Sequence, residues 1–135
     1  MRIRVRLPKL EPEVYTMPQT CPHGCGGAYF KPHGVQGEAK AVRDPHHTAV
    51  VSYRYQCTRC HKTFRVYPQG VSAAQQSDRL KAMSVLLYVL GLSYGAVMDF
   101  LVACGCGVSR TTVYNNVQAA GGVARKRQHT QVQGG

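Results

Sequence analysis

The sequence predicts an α+β chain, a small cysteine-bearing β unit followed by a helical unit, and three observations carry that prediction. All seven Pro fall within residues 1–70, and the rest of the chain is free of them, which permits unbroken helix there. Two spaced cysteine pairs, Cys21-Pro-His-Gly-Cys25 and Cys57-Thr-Arg-Cys60, lie in the first part. The second part repeats apolar residues at helical intervals. The division falls near Gly70. The expected organisation is a basic N-terminal arm or strand over 1–14, a metal-stabilised ribbon over 15–70, a helix-turn-helix domain over 71–121 and a loose tail over 122–135.

Taken in order, Met1 to Leu10 alternates Arg2, Arg4 and Arg6 with single apolar residues, as a solvated strand or an arm lying along a phosphate backbone would. It has no continuous apolar core and does not read as a secretory signal. Gly27 to His33, Val50 to Gln56 and Lys62 to Tyr67 have strand composition. Gly34 to His47, with its glycines, proline and mixed charge, reads as a loop or loose hairpin. In the second part, Ser72-Ala-Ala-Gln75 fits a capping box. The helix expected after it aligns Leu80, Met83, Leu87 and Leu90 on one face, and Val85, Leu86 and Val89 make its second half apolar nearly all round, as in a central helix. Gly91 and Leu92 end it. Ser93 can cap a second helix bearing Val97, Phe100, Leu101 and Cys104 at i, i+3, i+4 and i+7. A Gly105-Cys-Gly107-Val108 turn follows, then Ser109 as the cap of a third helix with Val113, Val117 and Ala120 on one face. Helix, short glycine turn, capped helix is the helix-turn-helix pattern.

Composition narrows the function. The chain has 135 residues, with 17 Lys and Arg against six Asp and Glu and a formal net charge of +11. So short a chain has little core to spare for a deep active site. Glu11, Glu13, Glu38, Asp44, Asp78 and Asp99 are its whole supply of carboxylates, so a centre built on clustered acids is excluded. The longest apolar stretch, Val85 to Leu92, falls well short of the roughly 18–20 residues a bilayer span needs. The partner expected of such a chain is a polyanion, not a membrane.

Without an export signal the thiols are expected to stay reduced in the cytoplasm, and the cysteine pairs then read as metal ligands. Zinc takes four ligands at tetrahedral corners, and two cysteine turns brought together by a hairpin supply them. Cys21, Cys25, Cys57 and Cys60 are the expected ligands of a structural Zn2+, although His23 or His61 can stand in for a thiolate. A redox dithiol and inert thiols are the other readings. A catalytic zinc needs a nearby acid or base, and no carboxylate lies close in sequence. Cys104 and Cys106 read as a core thiol and a turn thiol, and His46-His47 as a solvated loop.

If the third helix buries Val113, Val117 and Ala120, its opposite face carries Thr111, Asn115 and Gln118, flanked by Arg110 and Tyr114. Such side chains reach base edges and phosphates: Asn and Gln pair with adenine, Arg with guanine, while Ser109, Thr112 and Tyr114 suit phosphate oxygens. Arg125, Lys126 and Arg127, just beyond the helix, and the Lys and Arg of the ribbon would supply charge for the backbone. The plain alternative is a polar, solvated helix in a small bundle.

The order CPHGC, RYQCTRCHKTF, SVLLYVLGLSYGAVMDFL, GVSRTTVYNNVQAAG resembles the N-terminal half of bacterial insertion-sequence transposases over about residues 20–121. The resemblance implies a zinc ribbon and helix-turn-helix that bind double-stranded DNA at the terminal inverted repeats of the element, in the bacterial cytoplasm at the nucleoid. It also implies a downstream ribonuclease-H-like domain with three metal-binding carboxylates, whereas this chain has no acidic residue after Asp99. The expectation is therefore a non-enzymatic end-recognition part of a truncated or split transposase, acting as a homodimer or with a separate catalytic half. A transcriptional regulator would use the same fold. An RNA-binding ribbon would stack bases on Tyr29, Tyr53, Tyr55 and Phe64.

Overall fold

β-Branched and aromatic residues fill Ala49–Cys57, the longest strand, around which the cysteine-bearing half is built. The computed structural model describes residues 6–121. In chain order the strands are β1 (Glu11–Tyr15), β2 (Phe30–Pro32), β3 (Glu38–Ala41), β4 (Ala49–Cys57), β5 (Thr63–Val66) and β6 (Pro68–Gln69). The helices are α1 (Asp78–Val89), α2 (Tyr94–Ala103) and α3 over 110–121. β2, β3 and β5 all pair antiparallel with β4, and β1 pairs separately with β6. The expected strands are present, and the Gly34 to His47 stretch contains one of its own, β3. β1 crosses the expected boundary between arm and ribbon, so part of the arm is sheet. Residues 1–5, with Arg2 and Arg4, lie outside the described residues, as do Arg125, Lys126 and Arg127.

Two apolar clusters divide the work. Leu80, Val97, Leu101, Cys106, Val108 and Val113 form the helical core, with Met83, Leu87 and Val117 packed on it. Fully burying a side chain such as Leu80 or Leu101 stabilises by about 2 kcal/mol. The ribbon cluster is smaller: Leu10, Val42 and Val50, with Val71 against them. Polar bonds join the halves. The buried Asp44 carboxylate accepts from Arg79 at 3.1 and 2.7 Å and from Ser77 Oγ at 2.6 Å. Arg43 donates to the Gly107 carbonyl at 3.1 Å. The side-chain amides of Gln76 and Asn116 exchange two hydrogen bonds, and Asn116 also donates to Ser84 Oγ.

Several helix details differ from expectation. The capping box at Ser72 does not start α1. Residues 72–76 run alongside Arg43, which bonds Gln75 and Ser77 through the backbone, and Ser77 is the cap instead, accepting from the Leu80 N–H. α1 is not central either. Val89 and Leu90 are 62% and 66% exposed, and Val85, Leu86 and Val89 face an apolar groove of about 530 Å3 closed on the other side by Ala119 and Ala120 of α3. With so few helices, none can be covered on every side. Ser93 and Ser109 cap α2 and α3 as expected. The two remaining thiols exchange roles: Cys104 is the exposed C-cap of α2, while Cys106 is 4% exposed in the core. The tight turn reverses the chain and carries Cys106 inward, and Phe100, displaced from the expected stripe, is 45% exposed. Among the described residues no helix is long and apolar enough to cross a membrane.

Candidate metal centre and reading helix

Both cysteine turns are built alike. The Gly24 N–H donates to the Cys21 carbonyl and the His61 N–H to the Cys57 carbonyl, each at 3.0 Å. Just after the second cysteine of each turn the backbone enters the left-handed region, at Gly26 (φ 79°) and His61 (φ 62°). Glycine takes that conformation freely, whereas His61 is held in it by the turn. β4 and the returning β5 set the second turn, and the Cys21 N–H bond to the Gly27 carbonyl at 2.7 Å closes the first.

Four sulfurs meet between the turns. Cys21 Sγ lies 3.7 Å from Cys60 Sγ and Cys25 Sγ 3.5 Å from Cys57 Sγ, with all four within 4.8 Å of one another. A tetrahedron of sulfurs about 2.3 Å from a central ion has edges of roughly 3.8 Å, whereas a disulfide brings sulfurs to about 2.0 Å. Both close pairs join one turn to the other, as a shared ion requires. The cluster can hold a metal ion. Backbone amides support it: Gly27 N–H donates to Cys25 Sγ at 3.3 Å and Arg59 N–H to Cys57 Sγ at 3.4 Å. The Cys60 amide leads in holding the Cys57 thiol down to about 6, against burial. At Cys25 the Gly27 amide pulls the other way, but burial and the three neighbouring thiols carry the group up to about 11. Four thiolates this close repel strongly, and a divalent cation offsets that repulsion.

Neither histidine competes for the ion. His23 Nε2 is engaged 2.8 Å from the Thr63 carbonyl, and His61 serves the turn through its backbone. Among the described residues no carboxylate or imidazole joins the four sulfurs, and His46 and His47 belong to no such cluster. Gly27 is the tightest point. A Cβ there would lie 2.7 Å from Cys57 Sγ and 3.3 Å from Cys25 Sγ. Gly27→Ala is therefore expected to leave the helices intact and to lower metal affinity at least tenfold, measured as metal retained during titration with a chelator.

The expected reading helix has the expected faces. Val113 is buried and Val117 packs on the core, while Arg110, Thr111, Tyr114, Asn115 and Gln118 are exposed. Ser109 and Thr112 stand at the start of α3 and are spent on each other: Ser109 Oγ accepts the Thr112 N–H at 3.1 Å and sits 2.9 Å from Thr112 Oγ1. Ala120 is half-buried at the apolar groove, not in the core. Tyr114 meets Tyr94 edge-on at 5.5 Å, and Tyr94 stacks on Tyr88 at 4.7 Å, fixing the Tyr114 ring on the exposed face. Arg110 lies over the first turn of α2, its guanidinium 3.0 Å from where a Gly95 Cβ would be.

Reading the sequence alone overlooked Asn116, which looks polar and free but anchors α3 to Gln76 and Ser84. Its signal was available, since Asn116 stands three residues after Val113, on the buried stripe. The Asp44, Ser77 and Arg79 lock was also overlooked, and nothing local in the sequence points to it. Comparison with protein families, with curated proteins and with solved structures gives no match to this chain.

Proposed function

We propose that the chain binds double-stranded DNA sequence-specifically, with a structural Zn2+ on Cys21, Cys25, Cys57 and Cys60 and with α3 entering the major groove. The observation that carries the reading is α3 itself, capped by Ser109 after a tight turn, anchored by Val113 and Asn116, and exposing Arg110, Thr111, Tyr114, Asn115 and Gln118 in one band. Asn115 and Gln118 can pair with adenine edges and Arg110 with guanine, while Thr111 and Tyr114 reach phosphates. The net charge of +11 favours the backbone of any duplex. Zinc suits a centre of four sulfurs with no open position, and its contribution there is to cross-link the two turns. The resemblance to insertion-sequence transposases adds the setting: recognition of element ends.

Binding to duplex DNA is the test. About six phosphate contacts give a log–log salt slope of roughly −5, and a flat response overturns the reading. Asn115→Ala is expected to relax base preference at one position of a selected site by about 1–3 kcal/mol of discrimination. Asn116→Ala, one residue away, is expected to lower thermal stability instead. Selection from a random duplex pool before and after each substitution separates the two effects.

A further inference from the structure

One face of β4 changes character along its length. Val50 and Ser52 are buried, whereas Arg54 and Gln56, nearer the metal centre, are only half-buried. Strand register sets Arg65 of β5 directly opposite Arg54, and Lys31 of β2 opposite Gln56. The His33 N–H donates to the Arg54 carbonyl at 3.0 Å, which puts His33 beside Arg54 on the other edge. The open part of the face thus carries Lys31, Arg54 and Arg65 close together, with His33 next to them. Glu38 lies 3.4 Å from Arg65, and among the described residues no carboxylate is paired with Arg54. Like charges directly opposite one another destabilise a sheet, and with one carboxylate among three cations this face keeps a surplus of positive charge for an outside anion to offset.

The aromatic residues of the paired strands are on the other side, while Tyr67, just past β5, is covered by Lys40, whose Nζ lies 5.5 Å from the ring centre. Register places Phe30, Tyr53, Tyr55 and Phe64 on the face opposite the arginines. There they pack together: Phe30 meets Phe64 edge-on at 5.0 Å, Phe64 stacks on Tyr55 at 6.1 Å, and Tyr53 meets Tyr15 at 5.1 Å. Within the paired strands, no ring shares the cationic face. Surfaces that bind single strands interleave cations with rings on which bases stack. A duplex turns its bases inward and offers phosphates outward, which cations alone can follow.

We propose that Lys31, Arg54 and Arg65 form a second contact surface that follows the phosphate backbone of duplex DNA, separate from α3 and indifferent to sequence. The proposal rests on the DNA-binding reading above. Its test uses the full, metal-loaded chain with a random-sequence DNA duplex and a poly-uridine strand of equal length, over a range of salt. Removing two phosphate contacts in the double variant Arg54→Ala, Arg65→Ala is expected to make the salt slope shallower by about 1.8 and to weaken duplex binding at ~0.1 M salt by tens of fold, equally for every sequence. Glu38→Gln removes the competing carboxylate and is expected to strengthen duplex binding. Cys104→Ser, at the exposed C-cap of α2, is expected to keep the parent slope. Metal content and helical circular dichroism check that each variant is folded, and Arg65→Ala alone, at an exposed position, gives half the slope change. Duplex binding with an unchanged slope in the double variant overturns this surface and leaves the α3 reading standing. A wild-type chain that ignores duplex DNA overturns both. Preference for poly-uridine, lost in the double variant, assigns the face to single strands and overturns the proposal.

Discussion

With Zn2+ on the four sulfurs as proposed, Cys57→Ser is expected to empty the metal centre and to unfold the ribbon with it. Cys57 is fully buried, its sulfur faces Cys25 Sγ at 3.5 Å, and its backbone pairs with Phe30 on β2. Beyond the half-buried Phe30, Phe64 and Tyr55 rings, the ribbon has little else to hold it. Its buried apolar cluster consists of Leu10, Val42 and Val50, all away from the cysteine turns, and a cluster of that size contributes only a few kcal/mol. A structural zinc contributes an apparent 10–16 kcal/mol or so, far more than so small a core can replace. A hydroxyl in place of the thiolate removes one of four ligands and leaves the other three sulfurs crowded without full compensation. The expected results are metal content falling from one per chain to near zero and loss of amide protection across β2, β4 and β5. Cys104→Ser, at an exposed C-cap, is expected to change neither. A Cys57→Ser chain that keeps wild-type thermal stability would show that the sulfurs are not a folding element.

Where the pattern is local, the sequence is readable. The cysteine spacing, the strand composition of Val50 to Gln56 and the caps at Ser93 and Ser109 each depend on residues within one turn or one strand, and each is present. The start of α1 is different. Ser72-Ala-Ala-Gln75 and Ser77 both offer a capping hydroxyl, and the choice is made by Arg43 and Asp44, more than thirty residues away, which bond Gln75 and Ser77. That Val85, Leu86 and Val89 border an open groove was unreadable for a related reason. An apolar stretch states what can be buried, not whether the fold has anything to bury it. In the candidate site the same divide holds: the four clustered cysteines were legible from spacing, whereas the cationic row of Arg54 and Arg65 exists only through the register of β4 and β5.

Asp44→Asn is expected to destabilise the chain by about 3 kcal/mol, because it removes one partner of a buried ion pair and leaves the other behind. Arg79 retains some contact with water, which places the loss at the low end for such pairs. The carboxylate does three things at once. It pairs with the Arg79 guanidinium, accepts the Ser77 hydroxyl that itself caps α1, and accepts the His46 N–H at 2.9 Å. Burial pushes the Asp44 carboxyl up, but these partners, Arg79 first, outweigh it and hold the group at about 2 against an ordinary 3.8. That difference corresponds to about 2 kcal/mol, present in full above about pH 4 and lost as pH falls toward 2, because the folded state binds the proton more weakly than the unfolded chain. Denaturant unfolding followed by helical circular dichroism is expected to show the wild type well above Asp44→Asn at pH 7, with the gap narrowing below about pH 4. Acid releases the metal from both chains, so the difference between them isolates the carboxylate. An Arg79→Met background is expected to remove most of the effect, since the two residues act as one unit. Asp44 lies in the cysteine-bearing half and Arg79 in the first turn of α1. A gap that stays constant with pH, or survives Arg79→Met, would mean that the cysteine-bearing half and α1 are held together by something other than this pair.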